Sequence, residues 1–290
     1  MTATLVEKAC AKINLTLRVL GRRADGYHDL ESLVVFADLA DRLALEPGGD
    51  TTLDVTGPYA AASGAPSENL VLKAAAALND GIKGLKGGRF RLDKQLPVAA
   101  GIGGGSADAA AALRCLARAN DLSIDDARLM LAALRTGADV PVCMASRPCI
   151  MSGIGERLSP PLTLPPLHAV LVNPGVALAT RDVFAAYKVM PQTHALSPQA
   201  IPRDLCGLVD FLQAHGNDLT QAAIARAPVV AEVLGALEAL PVALLSRMSG
   251  SGSTCFALFA TADEAHAAAS QLSAAHQDWW VAPAVLGAAP

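Results

Sequence analysis

Between residues 97 and 108 the chain reads Pro97-Val98-Ala99-Ala100-Gly101-Ile102-Gly103-Gly104-Gly105-Ser106-Ala107-Asp108. Glycines here let the backbone take positive φ and approach a ligand with no Cβ in the way. The alternation at Phe90 to Leu92 predicts a strand before this loop, and the Ala-rich run Ala107 to Arg118 predicts a helix after it. Strand, glycine turn and helix mouth in that order aim amide N–H groups and the positive end of a helix dipole at one cavity, which suits the phosphates of a nucleotide. No Gly-x-x-x-x-Gly-Lys-Ser/Thr occurs, and Ser106 stands where Gly-x-Gly-x-x-Gly needs its last glycine, so Walker and dinucleotide-binding folds lose ground.

Composition limits the partners. The chain has 290 residues, 52% of them hydrophobic and 17% charged, enough apolar surface for two domains of ordinary size. Only 4% are aromatic, so the core must come from Ala, Leu and Val. A net charge of −4 without long Lys and Arg runs argues against nucleic acid and against an anionic membrane. Met1 to Lys12 carries Glu7 and Lys8 and lacks a continuous apolar run, unlike a secretory signal. The charge-free stretch from Leu158 to Thr180 is broken by prolines, so it does not span a bilayer. The cysteines are scattered, without the short spacing of a zinc site, and a reduced cytoplasmic protein is expected.

The Pro-rich run Ser159 to Pro166 places a domain boundary, giving parts 1–158 and 159–290. Before it, alternation predicts strands at Leu15 to Leu20, Leu33 to Leu39, Leu43 to Leu45 and Leu53 to Thr56, and helical spacing predicts a helix at Leu70 to Leu78. Another helix is expected at Ile124 to Leu134, opened by a Ser123/Asp126 capping box and stopped by Gly137. After the boundary, strands are expected at Ala169 to Val172, Leu244 to Met248, Phe256 to Ala260 and Trp279 to Ala282. Helices are expected at Val229 to Leu240 and following Thr261 with Glu264. The mixture is α+β.

Other segments carry chemistry-bearing residues whose isolated readings are bland. In Ala11-Lys12-Ile13-Asn14-Leu15-Thr16-Leu17, strand periodicity puts Lys12, Asn14 and Thr16 on one face, ordinarily a solvated one. Thr136-Gly137-Ala138-Asp139-Val140-Pro141 reads alone as a helix cap. Arg247 to Phe256, with its Gly-Ser-Gly-Ser run, reads alone as a hairpin turn. Arg23-Ala24-Asp25-Gly26-Tyr27-His28 adds an aromatic pair to a polar turn.

Taken together and in this order, these elements resemble the kinase family that includes galactokinase, homoserine kinase, mevalonate kinase and phosphomevalonate kinase. Ala-Asp-Gly-Tyr-His draws the resemblance toward members acting on an alcohol that carries a cytidine diphosphate group, in non-mevalonate isoprenoid synthesis. The resemblance implies an N-terminal ATP-binding domain similar to ribosomal protein S5 domain 2, a ferredoxin-like C-terminal domain, and transfer of the ATP γ-phosphate to a hydroxyl in the cleft between them. It makes Asp139 the general base and Lys12 its partner. It puts residues Pro97 to Ala107 around the triphosphate, with Mg2+ expected on phosphate oxygens and the Ser106 hydroxyl, and places Asn69 and Lys94 near the adenine. On the substrate side it implies cytosine between Tyr27 and Phe184, His28 at the base edge, Asn14 at the polyol or diphosphate, and Thr180 as a contact. A monomer or homodimer is expected.

Two departures stand out. Ala179 replaces a proline usual before Thr180, and Asp108 stands where some relatives have Asn; its carboxylate is expected to point away from the phosphates. A mobile loop is expected over residues 187–202. Another kinase of the same family and a silent ligand sensor are the competing readings. Tyr27-His28 opposes the first, and retention of both Lys12 and Asp139 opposes the second.

Overall fold

A computed structural model describes residues 3–188 and 196–287; residues 189–195, inside the loop expected at 187–202, lie outside the described residues. The N-terminal part opens with β1 (Leu5–Asn14), β2 (Arg18–Arg22), β3 (His28–Pro47) and β4 (Thr52–Thr56), then α1 (Leu70–Gly81) and β5 (Gly88–Asp93). It continues with α2 (Gly104–Ala119), α3 (Ala127–Thr136), α4 (Val140–Ala145), β6 (Cys149–Gly153) and β7 (Arg157–Leu158). Past the Pro-rich run come β8 (Leu167–Asn173), α5 (Thr180–Ala186), α6 (Leu205–Ala214), α7 (Thr220–Arg226) and α8 (Val229–Glu238). The chain closes with β9 (Leu245–Met248), β10 (Cys255–Phe259), α9 (Ala262–Ala275) and β11 (Trp280–Leu286).

The strands expected at Leu33 to Leu39 and Leu43 to Leu45 are one, β3, because Ala40-Asp41-Arg42 between them keeps pairing with β1 and contains no Gly or Pro to stop it. Leu15 to Leu17, expected to be strand, instead turns outward to meet the α6–α7 connection: Leu17 N donates to Gly216 O at 3.0 Å and Asp218 N to Leu17 O at 2.9 Å. The helix expected from Ile124 starts three residues later, because the cap is Asp126, whose side chain accepts from Arg128 N at 2.9 Å, and not Ser123. Thr261 and Glu264 form the reciprocal capping box foreseen for α9. Thr261→Ala is expected to lower stability by about 1 kcal/mol, read as a shifted urea midpoint with unchanged slope.

The sheet runs β4-β5-β3-β11-β8-β10-β9, with β1, β2 and β6 also pairing to β3. Pairings are antiparallel except β4 with β5. In the C-terminal part the order β11-β8-β10-β9, with helices after β8 and β10, is the β-α-β-β-α-β ferredoxin-like arrangement. Its last strand reaches the N-terminal sheet at Leu286 opposite Ala37, where the β1–β3 register also slips between Cys10 and Lys12. A register slip of this kind re-aims side chains, here next to Lys12.

Alanine builds the first core. Ala109 to Ala112 in α2 are fully buried, so this helix is covered all round by β1, β3, α1 and α4. A second core fills the space under α7, α8 and α9. A third joins Ile13, Leu33 and Val35 to Leu171, Phe256 and Leu258, which ties the two parts of the chain through apolar contact. Among the described residues no helix is long and apolar enough to cross a membrane.

Candidate active site

Lys12 reaches the site because β1 runs directly beneath the glycine loop. Its amide donates to Ile102 O at 2.8 Å, and a Cβ on Gly103 would lie 3.1 Å from Lys12 Cβ. Ile13 and Leu17 are buried as expected, yet Lys12, Asn14 and Thr16 on the opposite face are buried too, so the solvated-face reading fails. A buried ammonium needs a counter-charge. Lys12 Nζ finds it 2.8 Å away at Asp139 Oδ2.

Asp139 does sit at the N-cap position, just before α4, but its side chain makes no cap hydrogen bond. The carboxylate turns instead to the ammonium and into the cleft, overturning the cap reading of the isolated motif.

The loop departs from ordinary backbone at Ala99, Gly101 and Gly103, whose φ values are +52°, +75° and +64°. Four successive carbonyls are tied to the protein: Ala99 O accepts from Leu178 N, Ala100 O from Thr254 N, Gly101 O from Ser249 Oγ and Ile102 O from Lys12 N. No amide from Ala99 to Ser106 donates to a protein acceptor among the described residues. The helix after the loop begins at Gly104, earlier than expected, with Gly103 as a cap that offers no side chain to the first-turn amides. Those orphan donors and the dipole together make an anion site.

Sequence reading missed the element that fixes the loop. The β9–β10 turn, Ser249 to Thr254, looks like a surface hairpin but is buried and docks on the loop. A Cβ on Gly101 would come within 2.6 Å of Ser249 O and 2.7 Å of Gly252 O. The density of Gly and Ser there was the available signal.

Loop, ion pair and aromatic turn line one cleft of about 1170 Å³. Ala99, Ala100, Gly101, Gly103, Gly104, Gly105 and Ser106 line it on one side and Lys12, Asn14 and Asp139 beside them. Tyr27, His28, Thr180 and Phe184 line it as well, with Arg22 and Ser251, which sequence reading did not single out. Asn14 Nδ2 donates to Ser32 Oγ at 2.7 Å, while its Oδ1 is buried and without a partner. Thr180 Oγ1 lies 3.0 Å from Ser251 Oγ.

Residues 69–147 match the N-terminal domain of the GHMP kinases and residues 207–278 match the GHMP kinase C-terminal region. The chain belongs to the GHMP kinase family. It is 54% identical to a Bradyrhizobium 4-diphosphocytidyl-2-C-methyl-D-erythritol kinase over 96% of this chain and 95% of that one. It is 57% identical to a Rhodopseudomonas palustris protein of the same name over 97% and 98% of the two chains. The crystal structure of a 4-(cytidine 5'-diphospho)-2C-methyl-D-erythritol kinase, 35% identical, covers 98% of this chain and 100% of its own with a TM-score of 0.79. The crystal structure of L. major mevalonate kinase shares the fold at 17% identity and a TM-score of 0.69, covering 99% of this chain and 97% of its own. The two-domain α+β architecture expected from the motifs is that of the GHMP kinases.

Several family-implied positions stand elsewhere in this GHMP kinase. Asn69 caps α1, its side chain accepting from Val71 N at 3.0 Å, and does not line the cleft. Lys94 is buried beneath the loop, bonded to Asp41 and, at 2.7 Å, to Asp108, so it too is no lining residue. Its amide donates to Thr56 O and its carbonyl accepts from Tyr59 N. Pro97, Val98, Ile102 and Ala107 support the loop from outside the lining. Asp108 points away from the cleft, as expected. The ring stacked on Phe184 is His28, at 5.0 Å and 24°, whereas Tyr27 stands 59% exposed at the mouth. Burial, and then the nearby Arg22, hold the His28 imidazole below its ordinary pKa.

Proposed function

We propose that the chain transfers the γ-phosphoryl group of ATP to the 2-hydroxyl of 4-diphosphocytidyl-2-C-methyl-D-erythritol, giving the 2-phospho derivative and ADP in isoprenoid precursor synthesis. The observation that carries this reading is the Lys12–Asp139 pair, 2.8 Å apart and facing the same cleft as the open amides of the loop. Phosphoryl transfer asks the protein mainly for positioning and charge stabilisation. Asp139 accepts the proton of the attacking hydroxyl. The alcohol oxygen bonds to the γ-phosphorus as the bond from that phosphorus to the β-phosphate oxygen breaks, and ADP carries away the electron pair. The Lys12 ammonium orients Asp139 and steadies negative charge on the alcohol oxygen.

Amides from Ala99 to Ser106 hold the triphosphate, within the part of the chain up to residue 158. Mg2+ fits this site as a passenger of the nucleotide. No cluster of three or more His, Cys, Asp or Glu able to hold a metal occurs among the described residues, and the Ser106 hydroxyl lines the cleft at the helix mouth, where it would hold the ion. When bound, Mg2+ neutralises phosphate charge.

Asn14 Oδ1, buried and unpartnered, accepts from a substrate hydroxyl, since an orphaned buried acceptor is otherwise a net cost. Thr180 contacts the substrate from the C-terminal part, His28 reads the base edge, and the cytosine stacks between Tyr27 and Phe184. Phe184→Ala is expected to raise the substrate KM about tenfold or more, from the loss of about 1–3 kcal/mol of stacking, with the ATP KM unchanged.

A panel assay tests the whole reading: ATP, Mg2+ and homoserine, mevalonate, galactose or the cytidyl-diphospho alcohol, with ADP followed. Turnover is expected with the last. Turnover with one of the others alone points to a different branch of the family, and no alcohol-dependent ADP at all removes the kinase reading.

A further inference from the structure

Asp41, Lys94 and Asp108 form a buried ion network that the transfer chemistry does not use; the three residues are 0%, 3% and 2% exposed. Asp41 Oδ1 accepts from Gln95 N at 2.6 Å and Leu96 N at 2.8 Å, which fixes the chain where it leaves β5 and enters the glycine loop. Asp108 lies one turn into α2, on the loop's other end. Lys94 Nζ bonds to Asp41 Oδ2 and to Asp108 Oδ2, so one ammonium connects the two ends. It does so directly under the phosphate side: a Cβ on Gly104 would lie 3.2 Å from Lys94 Nζ and 3.8 Å from Asp41 Oδ2.

We propose that this network is a staple that sets the separation of the loop's ends and thereby the affinity for nucleotide, with Lys94 and Asp108 as positioning residues. The proposal rests on the reading of the loop as the triphosphate site. Stability alone does not account for the network. Three buried charges are costly to desolvate, and apolar side chains of similar size commonly do as well or better. Asp108 shows the cost, because its Oδ1 has no partner and burial raises its pKa to about 7 against the pull of Lys94. Attraction from Asp108 and Asp41 nonetheless holds Lys94 above its ordinary pKa despite its burial, so the ammonium stays charged and both bonds persist. What the ions supply and apolar groups do not is a directional link between the start of the loop and the helix mouth.

The test compares wild type, Asp108→Ala, and the double variant Lys94→Met with Asp108→Leu, which replaces the ion pair by apolar groups. Calorimetry with a non-hydrolysable ATP analogue gives nucleotide affinity, and steady-state kinetics give kcat at saturating ATP and KM for the alcohol. Both variants are expected to bind nucleotide about tenfold or more weakly, with kcat and the alcohol KM within about threefold of wild type. The double variant is expected to melt no lower than Asp108→Ala. Wild-type affinity in the double variant overturns the staple. Weak binding in the double variant with wild-type binding in Asp108→Ala also overturns it, because Lys94 would then touch the nucleotide itself. If Asp108→Ala does not fold, the double variant decides alone. A wild-type chain that binds no nucleotide removes the reading of the loop, a result separate from any failure of the staple.

Discussion

Asp139→Asn is expected to lower kcat by on the order of 10² or more, the usual loss when a general base is removed, while ATP binds with near wild-type affinity. The amide keeps the shape of the side chain and still presents an oxygen to Lys12 Nζ, now 2.8 Å from Oδ2, so the buried ammonium keeps an acceptor and the fold is retained. What disappears is the group able to take the proton from the hydroxyl. The loop amides do not depend on Asp139, since their carbonyls are tied to Leu178, Thr254, Ser249 and Lys12. Coupled measurement of ADP release and calorimetric titration of the nucleotide separate the two effects. Near-normal turnover in the variant would mean that positioning and charge alone drive the reaction, an outcome that phosphoryl transfer chemistry permits.

Gly101→Ala is expected to abolish measurable nucleotide binding. The residue has φ +75°, which costs an L side chain about 1–2 kcal/mol. The larger problem is contact: the new methyl would meet three backbone atoms of the β9–β10 turn, at 2.6, 2.7 and 2.8 Å. Backbone cannot rotate aside as a flexible side chain can, so the loop or the turn must move, at a further cost of about 1–3 kcal/mol. Either movement breaks the bond from Ser249 Oγ to Gly101 O and swings the neighbouring amides off the cleft. An equilibrium titration reads the loss directly, and urea unfolding reports how much stability goes with it. Unimpaired nucleotide affinity would show that the docked turn does not shape the anion site.

The sequence was most informative where the physics is local. A glycine run between a strand and a helix already implies open amides and a dipole, and a Thr with a Glu three residues later already implies the capping box that α9 has. Spacing of apolar residues located most strands, and their order in the C-terminal part carries the ferredoxin-like topology. What was hidden depends on partners far along the chain. Lys12 looked like part of a wet strand face, and only the loop above it and Asp139 beside it explain its burial. Asp139 looked like a cap because nothing within its own hexapeptide reveals a distant ammonium. Lys94, just after β5, was expected near the adenine by family resemblance alone, and nothing in its own stretch of sequence reveals Asp41 and Asp108, which its ammonium bonds. The β9–β10 turn was disguised by chemistry common to all hairpins; its burial comes from the loop it meets. Local boundaries failed for smaller reasons, such as Asp126 outcompeting Ser123 as the cap of α3.

Crystallography of the chain with a non-hydrolysable ATP analogue, Mg2+ and the cytidyl-diphospho alcohol addresses the catalytic arrangement most directly. The expected structure has the triphosphate on amides between Ala99 and Ser106, and the acceptor oxygen about 2.6–3.2 Å from an Asp139 carboxylate oxygen. A triphosphate bound away from that loop, or an acceptor hydroxyl held out of reach of Asp139, would contradict it.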